Sequence, residues 1–272
     1  MGPRYDTISL LTDYGYADEF VGVLHAVARS IAPHATVLDI AHEIAPHDVR
    51  AGGLTLLRAA EYLPPGVVVA VVDPGVGTER RAIAVEVGEG MSVLVGPDNG
   101  LLAPAVSMCG GAGRVVELTS TDHRLPAPGA TFAGRDIFVP AAAHLCNGVD
   151  LAELGPPIDP DSLLPAVLPI TRSEDDGLHA EVLWVDRYGN AQLNVDPAEL
   201  DAMVGCEEVV TLRFDGSVRT ATRAIAYASL GPGRVGLVTD SYGLLSICLE
   251  RASAADELRI APGTPVVLSA PQ

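Results

Sequence analysis

The sequence is poor in aromatic residues, positive charge and long apolar runs, and each scarcity excludes something. Phe, Trp and Tyr make up only 4% of the 272 residues, so aliphatic side chains must build the core within a hydrophobic fraction of 48%. Lys and Arg number 17 against 35 Asp and Glu, which gives a net charge of −18. This balance argues against nucleic acid and anionic membranes as partners, because both require basic patches. No apolar run approaches the roughly 20 residues of a membrane span. No signal-peptide apolar region precedes the first predicted strand, so we expect a cytoplasmic protein.

Cysteine-based and phosphate-binding motifs are also missing. The four cysteines, Cys109, Cys146, Cys206 and Cys248, have no CxxC spacing, which favours reduced thiols over a disulfide framework or a zinc site. There is no HxxxH metal motif and no GxxxxGK[ST] phosphate-binding loop. The function must therefore be sought among carboxylates, turns and isolated basic residues.

The first 165 or so residues alternate between strand and helix patterns. This alternation predicts an α/β domain in which a mainly parallel sheet has helices on both faces, a three-layer α/β/α arrangement. The unbroken apolar run from Val67 to Val72 is typical of a strand that is buried on both faces. We predict strands at 8–12, 36–40, 67–72, 82–87, 93–95 and 114–118, and helices after Asp18-Glu19, after the capping residue Asp48, at 101–108 and up to Leu145.

The pattern changes after about residue 165. Four prolines fall between 157 and 169, and an acidic polar stretch follows at 173–177, which is typical of a domain boundary. We place the domains at 1–168 and 169–272. The second domain consists of short runs separated by turn signals and predicts a small, all-β, antiparallel barrel or sandwich. The predicted strands are 180–185, 191–195, 208–214, 220–227, 236–238, 244–249 and 265–268, with one helix at 197–203.

Several acidic residues follow predicted strands of the first domain. Asp13, Asp18, Asp73 and the Asp98-Asn99 pair all occur at or just beyond strand ends, which lie along one edge of a parallel sheet, where ligands bind. Together with His42, these carboxylates would suit Mg²⁺ or Mn²⁺, as in a phosphoesterase. The alternative is that each carboxylate stabilises its own turn.

Three smaller constellations add charged groups. Asp73 and Arg80 share one strand–turn–strand unit, where an ion pair would either lock the loop or place a charged group beside a reacting atom. Arg135 and Asp136 are predicted to cap the following helix. The Asp186–Asn190 stretch suits a hairpin turn, although Asp186 and Asn190 would also be able to recognise an amine or a purine edge.

Taken in order, seven segments of the sequence resemble one family. It is the S-adenosyl-L-methionine hydroxide adenosyltransferases, which are related to the fluorinases and chlorinases. The segments span nearly the whole chain: LLTDYGYADEFVG, DIAHEIAPHDVRAG, VDPGVGTERRAI, GPDNGLL, TFAGRDIF, VDRYGNAQLNV and TDSYGLLSI.

The resemblance implies an architecture and a reaction. The architecture is an N-terminal α/β/α domain followed by a C-terminal β-barrel, in a homotrimer whose sites lie between the N-terminal domain of one subunit and the C-terminal domain of the next. The reaction is attack of water-derived hydroxide on ribose C5′ of S-adenosylmethionine, giving adenosine and methionine. It needs no metal or other cofactor, because the sulfonium leaves as a neutral thioether and the protein mainly aligns and desolvates the nucleophile.

The resemblance also implies residue roles. Asp73 and Arg80 match two members of a hydrolytic Asp–Arg–His set. The implied substrate-binding residues are Asp13 for the ribose hydroxyls, Asp18 for the methionine side, His47 within the second segment, Asp186 for the ammonium, Asn190 for the adenine, and Ser241 and Tyr242 for the carboxylate.

Two positions depart from the family pattern. The third member of the hydrolytic set is normally the histidine of TFHGRD, but this chain has TFAGRD, with Ala133 at that position. Glu250-Arg251 stands where small or amide residues are usual beside the adenine. The loss of the histidine keeps open the alternative of a non-catalytic binding protein for S-adenosylmethionine or adenosine. A halide adenosyltransferase is a further alternative, which Asp73 disfavours because a carboxylate would repel a halide.

Overall fold

The structure is a computed structural model that describes residues 5–205 and 207–271. The chain divides into two compact units between Val167 and Leu168, and each unit has its own hydrophobic core. Within the described residues, no helix is long and apolar enough to cross a membrane.

The N-terminal unit is built on one six-stranded sheet with the strand order β2-β1-β3-β5-β4-β6. Its strands are β1 (Thr7–Thr12), β2 (Thr36–Ala41), β3 (Val67–Val71), β4 (Ala82–Val87), β5 (Ser92–Pro97) and β6 (Val115–Glu117). Its helices are α1 (Phe20–Ile31), α2 (Val49–Ala60), α3 (Ala103–Met108) and α4 (Val139–Cys146).

The sheet is mixed rather than purely parallel. β1 pairs parallel with β2 and β3, and β3 pairs parallel with β5, whereas β4 runs antiparallel to both β5 and β6. Only residues 88–91 join β4 to β5, and so short a connection permits a hairpin but not the long crossover that parallel neighbours need. The single reversed strand leaves the carboxyl ends of β1, β2, β3 and β5 at one edge.

Both faces of the sheet are covered, because β3 is buried at every position. Side chains that alternate along β1 and β3, such as Ile8, Leu10 and Val69, belong to the core that includes α1 and α4. On the other face, α2 packs against α3, and its Gly52 fits against Val72. The predicted three-layer α/β/α domain is confirmed.

The C-terminal unit is a closed β-barrel. Its strands are β7 (Arg172–Glu174), β8 (Gly177–Val185), β9 (Ala191–Leu193), β10 (Val209–Phe214), β11 (Ser217–Ala224), β12 (Gly236–Thr239), β13 (Leu245–Cys248) and β14 (Pro265–Ser269). The ring runs β14-β10-β11-β12-β13-β9-β8 and closes by pairing of β14 with β8, while β7 pairs only with β8. The predicted all-β barrel domain is confirmed, with seven strands in the ring.

Two local predictions were wrong. β11 and β12 pair parallel, so the barrel is not wholly antiparallel. β11 ends at Ala224 rather than at Tyr227. The acidic stretch at 173–177 lies just after the division between the two units and forms β7 and its turn into β8. Helix α5 (Pro197–Val204) was predicted, whereas helix α6 (Ala254–Leu258), whose cap Ser253 accepts a hydrogen bond from Asp256 N, was not.

The predicted cap formed by Arg135 and Asp136 was also wrong. Arg135 Nε instead donates to Asp136 Oδ1 at 2.6 Å, and both residues lie in a π-helical turn, Gly134–Phe138, that precedes α4. Asp48 does cap α2 as predicted, by accepting from Ala51 N at 2.8 Å. Cys109, Cys146 and Cys248 are free thiols, and Cys206 lies outside the described residues.

Candidate active site

The turn after β3 holds a buried ion pair between Asp73 and Arg80. Gly77, at φ +78°, turns the chain back so that Arg80 faces Asp73. Arg80 Nε lies 2.9 Å from Asp73 Oδ1 and 3.0 Å from Oδ2, and Nη2 lies 2.5 Å from Oδ2. The two side chains are only 14% and 5% exposed, and the guanidinium carbon lies 5.2 Å from the centre of the Phe138 ring. The predicted pair is confirmed, and both carboxylate oxygens of Asp73 accept hydrogen bonds from Arg80.

Asp13 lies at the end of the neighbouring strand. Its backbone N–H donates to Val71 O at 3.3 Å, which continues the pairing of β1 with β3 just before Asp73. His47 N donates to Asp13 Oδ2 at 2.9 Å, from a backbone conformation with φ +68°. Two predicted substrate residues, Asp13 and His47, are therefore in direct contact. The His47 side chain is exposed.

Tyr14 connects the Asp13 loop to the TFAGRD segment. Its ring packs edge-on against Phe132 and at a tilt against Phe20. Gly134 packs against the phenol, and a Cβ at this position would lie only 2.6 Å from the phenol oxygen, so glycine allows this close approach. Burial raises the pKa of Tyr14, and the negative charges of Asp13 and Asp73 raise it further. The phenol is consequently a neutral hydrogen-bonding group set between two carboxylates.

Ala133 lies immediately before the π-helical turn and is 4% exposed. It lines a cleft of about 470 Å³ together with Gly77 and Arg80. Glu117 and Arg124 line the same cleft, and burial, followed by repulsion from Arg80, lowers the pKa of Arg124. The methyl group of Ala133 supplies neither a proton acceptor nor a hydrogen bond, so this position adds no reactive group to the cleft.

The other strand-end acids do not join this group. Asp98 Oδ2 accepts from Arg81 Nη2 at 2.5 Å, and its Oδ1 accepts from Leu164 N at 2.9 Å, so Asp98 anchors the segment that follows residue 160. Asn99 Nδ2 donates to Val72 O at 2.9 Å, which ties the ends of β3 and β5 together. Asp18 is exposed in the bend before α1.

The metal alternative gains no support from the sheet edge. Among the described residues, the one group of three potential ligands within ion-binding distance is Glu174, Asp176 and His179, on the surface of the barrel unit. His42 is instead fully buried and hydrogen-bonded to Thr12 and Asp39.

In the barrel unit, Asp186 and Asn190 are hydrogen-bonded to each other across the β8–β9 hairpin turn. Asp186 Oδ1 accepts from the backbone N–H groups of Tyr188 and Asn190, and its Oδ2 accepts from Asn190 Nδ2, each at 2.8 Å. The predicted hairpin turn is confirmed. Gly189, at φ +81°, permits it.

A second polar turn follows β12. Asp240 Oδ1 accepts from Tyr242 N at 2.8 Å, and its Oδ2 accepts from Gln192 Nε2 at 2.5 Å, while Ser241 and Tyr242 are exposed at the tip. The two turns lie at the same end of the barrel, because Gln192, which donates to Asp240, is in β9 two residues after Asn190. Burial raises the pKa of Tyr227, and Cys248, Asp186 and Asp240 contribute further to that rise. Arg251 forms a left-handed turn beyond β13 with φ +54°.

Sequence reasoning missed Tyr14, Gly134 and Asp240 as organisers of these sites. Each stands inside a segment already noted for its resemblance, LLTDYG, TFAGRD and TDSYG. Asp240 repeats the Asp–x–Tyr–Gly pattern of Asp186, which signals a turn whose carboxylate caps the following backbone N–H groups.

Comparisons with known proteins agree across the chain. The family model for the SAM hydroxide adenosyltransferase N-terminal domain matches residues 8–155, and the model for the C-terminal domain of the same family matches residues 180–267. A protein of Salinispora arenicola named (R)-S-adenosyl-L-methionine hydrolase is 44% identical over 94% of this chain and 95% of its own. A protein of the same name from Thermus thermophilus is 40% identical over 96% of this chain and 98% of its own.

Structural and more distant relatives extend the comparison. A crystal structure of an uncharacterized conserved protein from Thermotoga maritima superposes with a TM-score of 0.87 at 32% identity, covering 96% of this chain and 99% of that one. A fluorinase of an Actinoplanes species is 24% identical over 96% of this chain and 97% of its own.

Proposed function

The chain belongs to the SAM hydroxide adenosyltransferase family, and from that premise we propose that it is an enzyme that hydrolyses S-adenosyl-L-methionine to adenosine and L-methionine. The relatives' name specifies the R form of the substrate, and we take that form as the substrate of this chain. A water oxygen forms a bond to ribose C5′, the C5′–S bond breaks, and its electron pair stays on sulfur. The thioether of methionine leaves neutral, and one proton is released.

The observation that carries this proposal is the buried Asp73–Arg80 ion pair beside Asp13 and Tyr14. In this proposal Asp13, which accepts from His47 N, would also accept hydrogen bonds from the ribose hydroxyls, and the carboxylates suit a cationic sulfonium. Asp73 and Arg80 would order the attacking water in line with C5′. Alignment and removal of bulk water are the main catalytic requirements when the leaving group departs neutral.

We include the remaining residue roles in the proposal. Asp18 and Asp186 would contact the methionine part, Asn190 the adenine, and Ser241 and Tyr242 the methionine carboxylate. These groups are divided between the two units of the chain. The proposal therefore includes a homotrimer in which the N-terminal unit of one subunit and the C-terminal unit of the next form each site. The cytoplasmic location stays a prediction.

The direct test is incubation of the purified protein with (R)-S-adenosyl-L-methionine, followed by chromatography of the products. We expect adenosine and methionine in equal amounts, with no 5′-halo-adenosine when chloride or fluoride is added. A halogenated nucleoside would instead favour the halide adenosyltransferase, which Asp73 disfavours because its buried carboxylate repels halide. The variant Asp73→Asn is the matched control and should form no adenosine.

A second candidate function is favoured by Ala133. Since the family histidine is missing, the chain would be a binding protein for S-adenosylmethionine if the remaining residues gave no turnover. Calorimetry separates the two functions, because binding without adenosine over long incubation supports only the second candidate.

Subunit complementation tests the shared site. Asp73→Asn disables the N-terminal half and Asp186→Ala the C-terminal half, so each variant alone should be inactive. When equal amounts of the two variants are unfolded and refolded together, trimers form at random. About one subunit interface in four then combines an intact N-terminal unit with an intact C-terminal unit, so about a quarter of the wild-type activity should return. No recovery, with trimers present by light scattering, would show that each site lies within one subunit.

A further inference from the structure

A row of hydrogen-bonded side chains runs from the end of β1 to helix α1, and no role has yet been attached to it. Thr12 Oγ1 lies 2.8 Å from His42 Nδ1, His42 Nε2 lies 2.9 Å from Asp39 Oδ1, and the same oxygen lies 2.8 Å from His25 Nε2. The His42 side chain is fully buried, whereas Asp39 and His25 are partly exposed. Thr12, His42 and Asp39 form what we call the loop clamp.

The register of the sheet explains how the clamp forms. β1 and β2 run parallel, and an irregularity after Leu10 places Leu11 opposite Ala41 instead of Ile40. This shift brings the next residues, Thr12 and His42, to the same level at the carboxyl ends of the two strands. Tyr16 closes the outer side, with its ring 5.3 Å from the His42 ring in an edge-on arrangement.

Both ring nitrogens of His42 are hydrogen-bonded. Burial raises the pKa of Asp39, but the hydrogen bonds and charges of His42 and His25 outweigh it and lower the pKa, so the carboxylate is ionised and only accepts. His42 Nε2 is therefore the donor to Asp39, and His42 Nδ1 faces Thr12 Oγ1. Thr12 Oγ1 also accepts from Tyr14 N at 3.2 Å. These bonds fix the orientation of the buried ring.

The clamp fixes the loop that carries Asp13 and Tyr14. Tyr14 N–H donates to Thr12 Oγ1, and Gly15 N–H donates to His42 O at 2.7 Å. Asp13 lies between Thr12 and the first of these anchor points, and its carboxylate accepts from His47 N. We propose that Thr12, His42 and Asp39 are positioning residues that hold Asp13 and Tyr14 in the geometry required to bind the ribose, an inference that rests on the proposed function.

The test uses paired variants of Thr12. Thr12→Val keeps the shape of the side chain and removes the hydroxyl, whereas Thr12→Ser keeps the hydroxyl. Thr7→Val is the matched control, because Thr7 is a buried threonine at the opposite end of the same strand whose hydroxyl donates to Asp6. Each protein is assayed for kcat and KM with S-adenosyl-L-methionine and for amide hydrogen exchange in the peptide that contains residues 13–15.

The expected result is a selective loss in Thr12→Val. A displacement of about 1 Å in a positioning element can cost on the order of 100-fold, so we expect kcat/KM to fall at least ~10-fold, mainly through KM. The loop amides should exchange faster. Thr12→Ser and Thr7→Val should stay close to the wild type in both measurements. If Thr12→Val does not fold, His42→Gln, which removes the ring nitrogen that faces Thr12 Oγ1, replaces it in the same comparison.

Three outcomes are distinguishable. If Thr12→Val folds and shows wild-type KM and wild-type exchange, the inference is wrong. If Thr7→Val loses as much kcat/KM as Thr12→Val, the effect is general destabilisation and the inference is also wrong. If the wild type itself forms no adenosine and binds no substrate, the proposed function fails, while the exchange measurement still decides whether the clamp holds the loop.

Discussion

Replacement of Ala133 by histidine is expected to raise turnover, because this change adds the one group that the candidate site lacks. Water is a poor nucleophile, and general-base assistance is worth typically ~10²–10⁴-fold. Ala133 has φ −58° and ψ −29°, a helical conformation that histidine adopts without strain. Ala133 and Arg80 line the same cleft of about 470 Å³, and we expect this cleft to admit the imidazole next to Arg80.

The magnitude follows from what is already in place. Asp73 and Arg80 remain paired, so the ordering of water that we propose for this pair should survive, and only proton acceptance is gained. We therefore expect the lower end of the range, at least ~10-fold in kcat, which corresponds to about 1.4 kcal/mol of transition-state stabilisation. KM should change little, because Asp13 and the substrate-binding residues that we propose in the barrel unit are untouched.

The assay is steady-state adenosine formation between pH 5 and 9 for the wild type, Ala133→His and Ala133→Asn. The asparagine variant adds polar bulk without a base and should not gain activity. An imidazole accepts a proton only when neutral, so the added rate should appear as pH rises through about 6.5 and vanish below it. If the wild type turns over rapidly and Ala133→His is no faster than the wild type or Ala133→Asn, the reasoning is wrong. Asp73 and Arg80 would then carry the chemistry without a histidine.

Four further outcomes are expected. Asp73→Asn should abolish the residual rate, measured by single-turnover adenosine formation, because Arg80 then lacks its carboxylate partner. The pKa of Asp39 is lowered from 3.8 in the folded state, so ionised Asp39 stabilises the fold above that pH, and this stabilisation is lost as pH falls through the pKa of the folded state. The melting temperature of Asp39→Asn should therefore depend less on pH below about 4 than that of the wild type. Gly96→Ala should cost about 1–3 kcal/mol in urea unfolding, because its Cβ would overlap Ala70 O. EDTA should leave adenosine formation unchanged. A loss of activity in EDTA that Mg²⁺ restores would instead favour the metal-dependent phosphoesterase.

Local sequence patterns predicted most helices and strands, because the spacing of apolar residues shows which faces of an element are buried. The six apolar residues from Val67 mark a strand buried on both faces, and β3 occupies the centre of the sheet. The short connection after β4 was visible too, but its consequence, an antiparallel strand inside the sheet, depends on which neighbour β4 pairs with. Pairing is a tertiary choice that periodicity does not encode. The parallel β11–β12 pair escaped prediction for the same reason.

The candidate site was only partly predictable from the sequence. The Asp73–Arg80 pair could be inferred because the two residues share one short turn. The role of Tyr14 could not, because it depends on Gly134, which is 120 residues away in sequence and reaches Tyr14 only through packing. Asp98 was grouped with the active-site acids from its position after β5, but Arg81 and Leu164 satisfy its carboxylate. Strand-end position identifies the edge where ligands bind, whereas the local partners decide which acids remain for a ligand.

The geometry of Arg80 also bears on why water would be the nucleophile. A carboxylate close to an electrophilic sulfonium carbon is itself a potential nucleophile, and attack by Asp73 would give an ester in place of adenosine. Arg80 donates to both oxygens of Asp73, with contacts of 2.5 to 3.0 Å, and both side chains are largely buried. The guanidinium draws charge from the oxygens and fixes their orientation, so the carboxylate is a weak nucleophile that still accepts a hydrogen bond. A water molecule held by such a pair keeps its own lone pair free for C5′. The same pairing lets an acidic site accept a cation without being alkylated by it.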